Sequence, residues 1–351
     1  MNTKDFKLNL QLFAGVMNTQ TTLLNDSENG NDLSPTIKEF YNKQLLEDAK
    51  PNLVHDQFGQ KRSIPQGSGK TIEWRKFSSL KPALEPLTEG VTPDGNKLNI
   101  TPLTAKPDQF GDYIVLSDVL QLTAYDPIVV ETTKVLGNQA GLTMDTIIRN
   151  KLNEGTNVSY ASKTVSGTET KVEKRQDLAA DSKMSVLLVQ KIVRKLKSQN
   201  VPTINGSYVA IIHPDVAFDL TRDPEWMEWH KYATPENMYN NEIGKIANVR
   251  FVESTQAKIW NDSTCPAGTG STKLSVYSTL FMGADAYGCV DIAGGGLEHI
   301  VKQKGSAGVA DPLDQRSSVG WKGMQTAVIL DETRLVRAET TSTFSASSTA
   351  N

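Results

Sequence analysis

Five of the chain's fifteen prolines, Pro82, Pro86, Pro93, Pro102 and Pro107, fall within residues 79–107. Proline fixes φ and carries no N–H, so no helix runs through such a segment. A structureless loop of that length inside a compact domain is uncommon. Two strand-like runs bracket it, "TIEWRKF" at 71–77 and "FGDYIVLSD" at 110–118. In the first, Ile72 and Trp74 share one face of the alternation. These constraints together predict a projecting β-hairpin arm across 56–118, with the two runs as its sides. A two-stranded ribbon has too little core to stand alone. The arm therefore needs a surface to rest on, and a soluble monomer offers none.

The turn that enters the arm reads "GSGKT" at 67–71. A phosphate-binding loop has the form G-x-x-x-x-G-K-[ST] and feeds directly into a helix. Here Ile64 stands where the first glycine belongs, the upstream "FGQKRSIPQ" is polar and broken by Pro65, and a strand follows. We read a glycine turn entering a strand, with Lys70 as a solvated charge.

The remaining chain reads as α+β. Residues 1–55 are a polar arm, with a short helix expected from Ser34-Pro35. Asp126 as N-cap, Pro127 at N1, and Leu136, Ala140, Met144, Ile148 and Leu152 at every fourth position predict a helix over 127–153. At 1.5 Å per residue that is roughly 40 Å long. Gly137 and Gly141 sit on one of its faces, at about 1 kcal/mol each relative to alanine. "MSVLLVQKIVRKLKSQ" is a second, amphipathic helix with Lys191, Arg194, Lys195 and Lys197 outward. "SYVAII" is a buried strand and "HPDVAFDLTRDP" a short helix. "IGKIANVRFVES" is a turn and strand, and "KLSVYSTLFMGADAYGCVDI" a strand followed by a helix. "LEHIVKQ" and "MQTAVILDETRLVRAE" are strands, and the Ser/Thr-rich tail 341–351 is expected to fray.

Chemistry is sparse. With 37 basic and 40 acidic groups the formal charge is −3, which argues against a sequence-reading nucleic-acid binder. Cys265 and Cys289 form no C-x-x-C and read as reduced thiols. No stretch reaches the ~20 apolar residues of a membrane span. In the opening "MNTKDFKLNLQLFAGV", Asn9 and Gln11 interrupt the apolar run, so no signal peptide is expected. His213 and Asp215 resemble an acid–base pair but read as helix initiation. Trp226, Trp229 and His230 could stack on bases and read instead as a helix anchor. "GGGLEH" at 294–299 lacks the helix a phosphate site needs. No catalytic, cofactor-binding or metal-ligating residue is assigned, and no cofactor is expected. A cytosolic α/β nucleotide-binding or hydrolase enzyme is the alternative, resting on "GSGKT" and His213–Asp215.

In order along the chain, "SIPQGSGKTIEWRKFSSL", "GDYIVLSDVL", "YVAIIHPDVAFDL", "NEIGKIANVRFVEST", "FMGADAYGCVDI" and "VADPLDQRSSVGWKG" followed by "AVILDETRLVRAE" resemble the major capsid proteins of tailed bacteriophages. "LNLQLFA" near the start is similar to openings in that group. The resemblance covers about residues 35–340. It implies the tailed-phage major capsid fold, an α+β arrangement. Its parts would be an N-terminal arm (1–55), an extended β-hairpin loop (56–118) and a peripheral domain with a long spine helix (119–159). A mixed α/β axial domain (160–295), a return to the peripheral domain (296–340) and a flexible tail (341–351) would follow. It implies a structural protein with no catalytic residues. Copies would form pentamers and hexamers in an icosahedral shell, with a portal and scaffold or decoration proteins as further partners. The shell would enclose double-stranded DNA contacted non-specifically, in a virion assembled in the host bacterial cytoplasm without membrane. Some capsid families crosslink a lysine of the loop, and Lys81 and Lys97 lie there.

Overall fold

In a computed structural model of the 351-residue chain, residues 53–230 and 242–351 are described, apart from 79, 85, 87–88, 91–94, 124–127, 166–167, 269–272 and 307–310. The expected helix from Ser34 and the caps Asp126 and Pro127 lie outside the described residues.

In chain order the strands begin with β1 (Gln60–Ile64), β2 (Ile72–Phe77), β3 (Ile100–Ala105) and β4 (Asp108–Ser117). Helices α1 (Asp118–Thr123) and α2 (Ile128–Leu152) follow, then the short β5 (Val158–Tyr160), β6 (Lys163–Val165) and β7 (Thr168–Thr170). Next come α3 (Val186–Ser198), β8 (Tyr208–Ile212), α4 (Pro214–Thr221) and α5 (Pro224–His230). The chain continues through β9 (Glu242–Ile246), β10 (Val249–Glu253), β11 (Ile259–Trp260), β12 (Val276–Met282) and β13 (Tyr287–Ile292). It closes with β14 (Glu298–Lys302), β15 (Arg316–Ile329) and β16 (Leu335–Thr340).

Among the described residues these strands make two main sheets and two small hairpins. One main sheet has the order β1-β13-β15-β14, with β4 also on β15; the other has the order β5-β16-β12-β8-β10-β9, with β11 on β12. Helices α3 and α4 cover one face of the second sheet. Val189, Ile192, Val193 and Leu196 of α3 meet Tyr208, Ala210, Phe251 and Phe281 there. Ser185 caps α3, its side chain accepting from the Leu188 N–H. The opposite face, through Val209, Ile211, Leu280 and Met282, packs on Ile148 and Leu152 of α2 and on Tyr287 and Ala327 of the first sheet. Farther along, Leu136, Ala140 and Met144 of α2 lie on Leu116, Val319 and Trp321. The periodicity that predicted this helix is the set of residues it buries.

Four expectations are corrected. "TIEWRKF" is one side of a hairpin, but its partner is β3, paired antiparallel from Ile72↔Ala105 to Phe77↔Ile100. "FGDYIVLSD" instead pairs along ten positions with β15, from Asp108↔Gln325 to Ser117↔Arg316. The hairpin is therefore 72–105, narrower than 56–118, while β1 joins the first sheet on β13. "FMGADAYGCVDI" contains no helix: it is the end of β12, a turn with Asp285 at φ +53°, and β13. Tyr287, Cys289 and Val290 are strand formers, and the Gly283 position leaves no room for a side chain, since a Cβ would lie 2.3 Å from Val201 Cγ1.

The chain also crosses between the sheets. β13 lies before residue 295 yet belongs to the first sheet, and β16 lies after 296 yet completes the second, paired to β12 from Met282↔Leu335 to Tyr277↔Thr340. The expected division at 295/296 therefore does not follow sheet membership. Finally, the tail 341–351 is not frayed. Thr341, Ser342 and Ser345 are buried. Ser275 N–H donates to Ser345 O at 2.9 Å, Ser342 Oγ donates to Asp215 O at 3.1 Å, and Asn351 Oδ1 accepts from Ile259 N–H at 3.0 Å. Hydroxyls and amides that made the tail look soluble satisfy backbone groups on the body.

Candidate assembly surfaces

The hairpin has two faces with different fates. Trp74, Leu103, Ile72 and Ala105 point inward and join Ile64, Val290, Ile292 and Val328 in one apolar cluster. Trp74 is only 5 % exposed. Its ring lies against Gly288 of β13, where a Cβ would sit 2.8 Å from it, so glycine is required for the approach. The indole N–H donates to Gln60 Oε1 at 3.3 Å, and the Arg62 guanidinium lies 5.6 Å above the ring. Lys76 pairs with Asp331 at 2.9 Å, which helps hold the Asp331 carboxyl below its usual value. The root of the hairpin is thus part of the core. The outward face is bare: Phe77 and Ile100, directly paired across the two strands, are both exposed. Beyond them Leu80, Leu84 and Leu98 are exposed, Leu84 at 86 %.

A second apolar surface lies on β4 and α1. Alternation along β4 sends Phe110, Asp112 and Leu116 toward α2, where Gln139 Nε2 donates to Asp112 Oδ2 at 2.6 Å. Tyr113 and Val115 point away from α2, and Tyr113 is 68 % exposed. Tyr113 faces Gly320, where a Cβ would come within 2.7 Å of the tyrosine Cβ. The next element, α1, has no buried residue although its sequence is DVLQLT; Val119, Leu120 and Leu122 are exposed, Leu122 at 78 %. Helix α1 is held at its start by Leu120 N–H on Ser117 Oγ (3.2 Å) and by Gln121 Nε2 on Ser317 Oγ (2.7 Å). Contiguous exposed apolar surface of this kind marks an interaction site.

The chemical candidates go elsewhere. The "GSGKT" turn has Gly67 and Gly69 at φ +83° and +87° and runs straight into β2. Lys70 Nζ is paired to Asp108 at 2.7 Å and holds that carboxyl below its usual value. Among the described residues no helix N-terminus follows the turn to receive phosphate, since β2 comes next. His213 is the N-cap of α4, its Nδ1 accepting from Asp215 N–H at 3.1 Å, and burial lowers its pKa. Asp215 accepts from Tyr277 OH at 2.6 Å. The pair initiates a helix, as the sequence indicated.

Trp226 is buried edge-on to Phe251 at 5.7 Å and cannot stack on a base; the side chains of Trp229 and His230 lie outside the described residues. "GGGLEH" links β13 to β14 along β15, and its His299 is buried beside Thr133, which lowers its pKa to about 4. Cys265 and Cys289 are buried thiols whose pKa values burial raises. Among the described residues no group of His, Cys, Asp and Glu could hold a metal ion.

Sequence reasoning expected no resting place for the arm within one subunit, yet its root rests on β13 of the same chain, and the exposed Tyr113, Val115, Val119 and Leu122 were not foreseen. The signal was present: "DYIVLSDVLQL" is apolar at both parities of a strand, more than one buried face requires.

The fold and its bare apolar faces define a subunit built for assembly. The sequence matches the phage capsid protein family over residues 100–338, more than half of the chain, and the protein belongs to that family. It is a structural protein of the virion capsid shell with the tailed-phage major capsid fold. No curated protein matches it. Among solved structures it is similar to the capsid of cyanophage P-SCSP1u, with TM-score 0.60 and 14 % identity over 82 % of this chain and 87 % of that one. The capsid of Ralstonia phage GP4 gives 0.59 and 14 %, over 82 % and 88 %. The cyanophage Pam1 capsid gives 0.60 and 11 %, over 84 % and 90 %.

Proposed function

We propose that copies of this chain close into five- and six-membered rings and then into an icosahedral shell around double-stranded DNA. The observation that carries the reading is the pair of exposed apolar surfaces, at the distal hairpin and on β4–α1, at two separate places on one subunit. The hairpin of one copy lies over the β4–α1 surface of the next. That contact is heterologous, so repetition builds rings when the rotation closes. Each contact is modest, and a closed shell is stable because there are many of them.

In this reading α2 and the first sheet form the peripheral domain. The second sheet with α3, α4 and α5 forms the axial domain, which crowds the ring centre. A portal fills one vertex, and scaffold or decoration proteins are further partners. Assembly takes place in the host cytoplasm. The chain has no enzymatic role, and Lys70 and His213–Asp215 are explained as an ion pair and a helix cap.

Electron microscopy of the purified protein should show shells; discrete small oligomers under all conditions would refute the proposal. Tyr113→Glu with Val115→Glu tests the contact itself. Both positions are exposed, so the subunit should stay folded by circular dichroism while shell formation is lost. Normal shells from this variant would remove β4 from the contact.

A further inference from the structure

Residues 182–214 carry Lys183, Lys191, Arg194, Lys195 and Lys197 and no aspartate or glutamate, in a chain whose formal charge is −3. Four of these cations lie on α3. The helix buries Leu188, Val189, Ile192, Val193 and Leu196, and this fixes its rotation. Gln190, Lys191, Arg194 and Lys197 consequently share the outer face.

The cations are not equivalent. Lys191 is paired to Glu169 at 2.7 Å, and Lys195 folds onto Asn157 Oδ1. Arg194 and Lys197 have no carboxylate partner among the described residues. They rim a shallow groove of about 640 Å³, lined also by Gln190, Val193, Ser198 and Ala247. Side chains three apart on a helix are neighbours, and like charges so placed destabilise it. An anionic partner reverses that sign.

We infer that this face of α3 is the lumenal surface of the subunit, where Arg194 and Lys197 meet the phosphate backbone of packaged duplex DNA without reading its sequence. The inference rests on the shell reading and names the surface that meets the genome. Gln190 and Ser198 supply neutral donors of the kind that contact phosphate oxygens. Two charge contacts per subunit make a weak, salt-sensitive attachment. Such an attachment can order the outermost DNA when repeated over a shell, yet it releases each contact readily. An acidic protein segment is the rival occupant. A phosphate backbone fits better because the groove is shallow and open and has no apolar pocket to anchor a side chain.

The test is fluorescence anisotropy of a short labelled duplex of arbitrary sequence, titrated with the full-length chain. Arg194→Gln with Lys197→Gln should weaken binding and lower the slope of log K against log salt by about 1.8. The wild type should then lose about 12-fold more affinity than the variant between 50 and 200 mM salt. Lys302→Gln with Lys304→Gln, at another exposed site, should behave as wild type. The Arg194/Lys197 variant should still form shells. An unchanged slope overturns the inference. So does loss of shells with duplex binding intact, which would make the face a subunit contact. Equal binding of polyglutamate, lost in the same variant, would make it an acidic-protein site. Failure of the wild type to form any shell refutes the shell reading separately, because the duplex titration does not depend on it.

Discussion

The root of the hairpin is packed into the core, while its described distal leucines, Leu80, Leu84 and Leu98, are exposed. Ser78 N–H donates to Asn99 O at 3.1 Å, so the ribbon's regular pairing continues one step past Phe77↔Ile100. Residues 79–98 can therefore be replaced by Asn-Gly, a two-residue turn that matches strand twist. The excision removes Leu80, Leu84 and Leu98, all exposed, and no member of the Trp74 cluster. Shortening the 78–99 connection to four residues is between two and three halvings, which favours the fold by about 1.5 kcal/mol. The monomer should thus melt at or slightly above the wild-type temperature. Assembly should respond oppositely. Burying a leucine on a neighbour is worth about 1.5–3 kcal/mol, and even about 5 kcal/mol for the three together exceeds a thousandfold in association. Circular dichroism melting and electron microscopy together provide the assay: a cooperative, soluble subunit that makes no closed shells. Trp74→Ala is the contrasting change, and should cost the subunit about 3–5 kcal/mol by denaturant titration. An unfolded excision variant would place the tip in the core. Normal shells would make it ornamental. Either result refutes the division.

Two further outcomes follow from the groups that sequence alone marked as chemical. Because Lys70 is spent on Asp108 and no helix follows the turn, calorimetry with ATP or GTP and magnesium should give no specific heat; a micromolar signal abolished by Lys70→Ala would overturn this. Burial holds His299 at about 4 against an ordinary 6.5. The unfolded chain therefore binds a proton here that the folded chain refuses, and stability falls as pH drops from about 6.5 to about 4. The stability advantage of wild type over His299→Leu should shrink across that window in urea titrations; a gap that stays constant would exclude His299 as its source.

Much of this was legible in the sequence. Helix α2 was readable because its core residues recur at a spacing only a helix can use. The "GSGKT" turn was readable because a phosphate loop needs a context that Ile64 and the following strand deny. What was not legible was pairing. Ile72 and Trp74 declare a strand, but nothing local says whether the partner is "ITPLTA" or "FGDYIVLSD", and Pro102 within β3 weakens the strand signal of the true partner. "GADAYGCV" was misread because alanine, glycine and aspartate carry little strand signal, while Gly288 is there for the Trp74 ring rather than for the backbone. The tail was misread because serine and threonine serve solvent and buried backbone equally well. Tyr113 and Val115 were readable only as strand residues and are bare in one subunit, because an exposed apolar surface is written in the same letters as an interior.

The crossing of the chain between the sheets explains how such surfaces can serve one shell. β12 and β13 are joined by the four residues 283–286, and β15 and β16 by the five residues 330–334, yet each pair is divided between the two sheets. The sheets are also fused through a shared core: Leu280, Met282 and Leu335 from one meet Tyr287 and Ala327 from the other, with Ile148 and Leu152 of α2 among them. A boundary that runs through buried side chains and short links has no linker in which to bend. Trp74 rests on β13, so the arm's root is seated on the strand that leaves the central strand of the other sheet. Beside the same strand, His55 and Asp145 are both buried. Asp145 accepts from the N–H groups of Val54 and His55 at 2.9 and 2.7 Å, and Tyr287 OH donates to His55 O. The 53–58 segment, α2, the arm root and both sheets are thereby tied through a handful of residues around β13. A subunit so welded presents its hairpin, its β4–α1 surface and its basic α3 face at fixed angles to one another. The ring closure proposed above would need that property, because an angular error at each contact would accumulate around the ring.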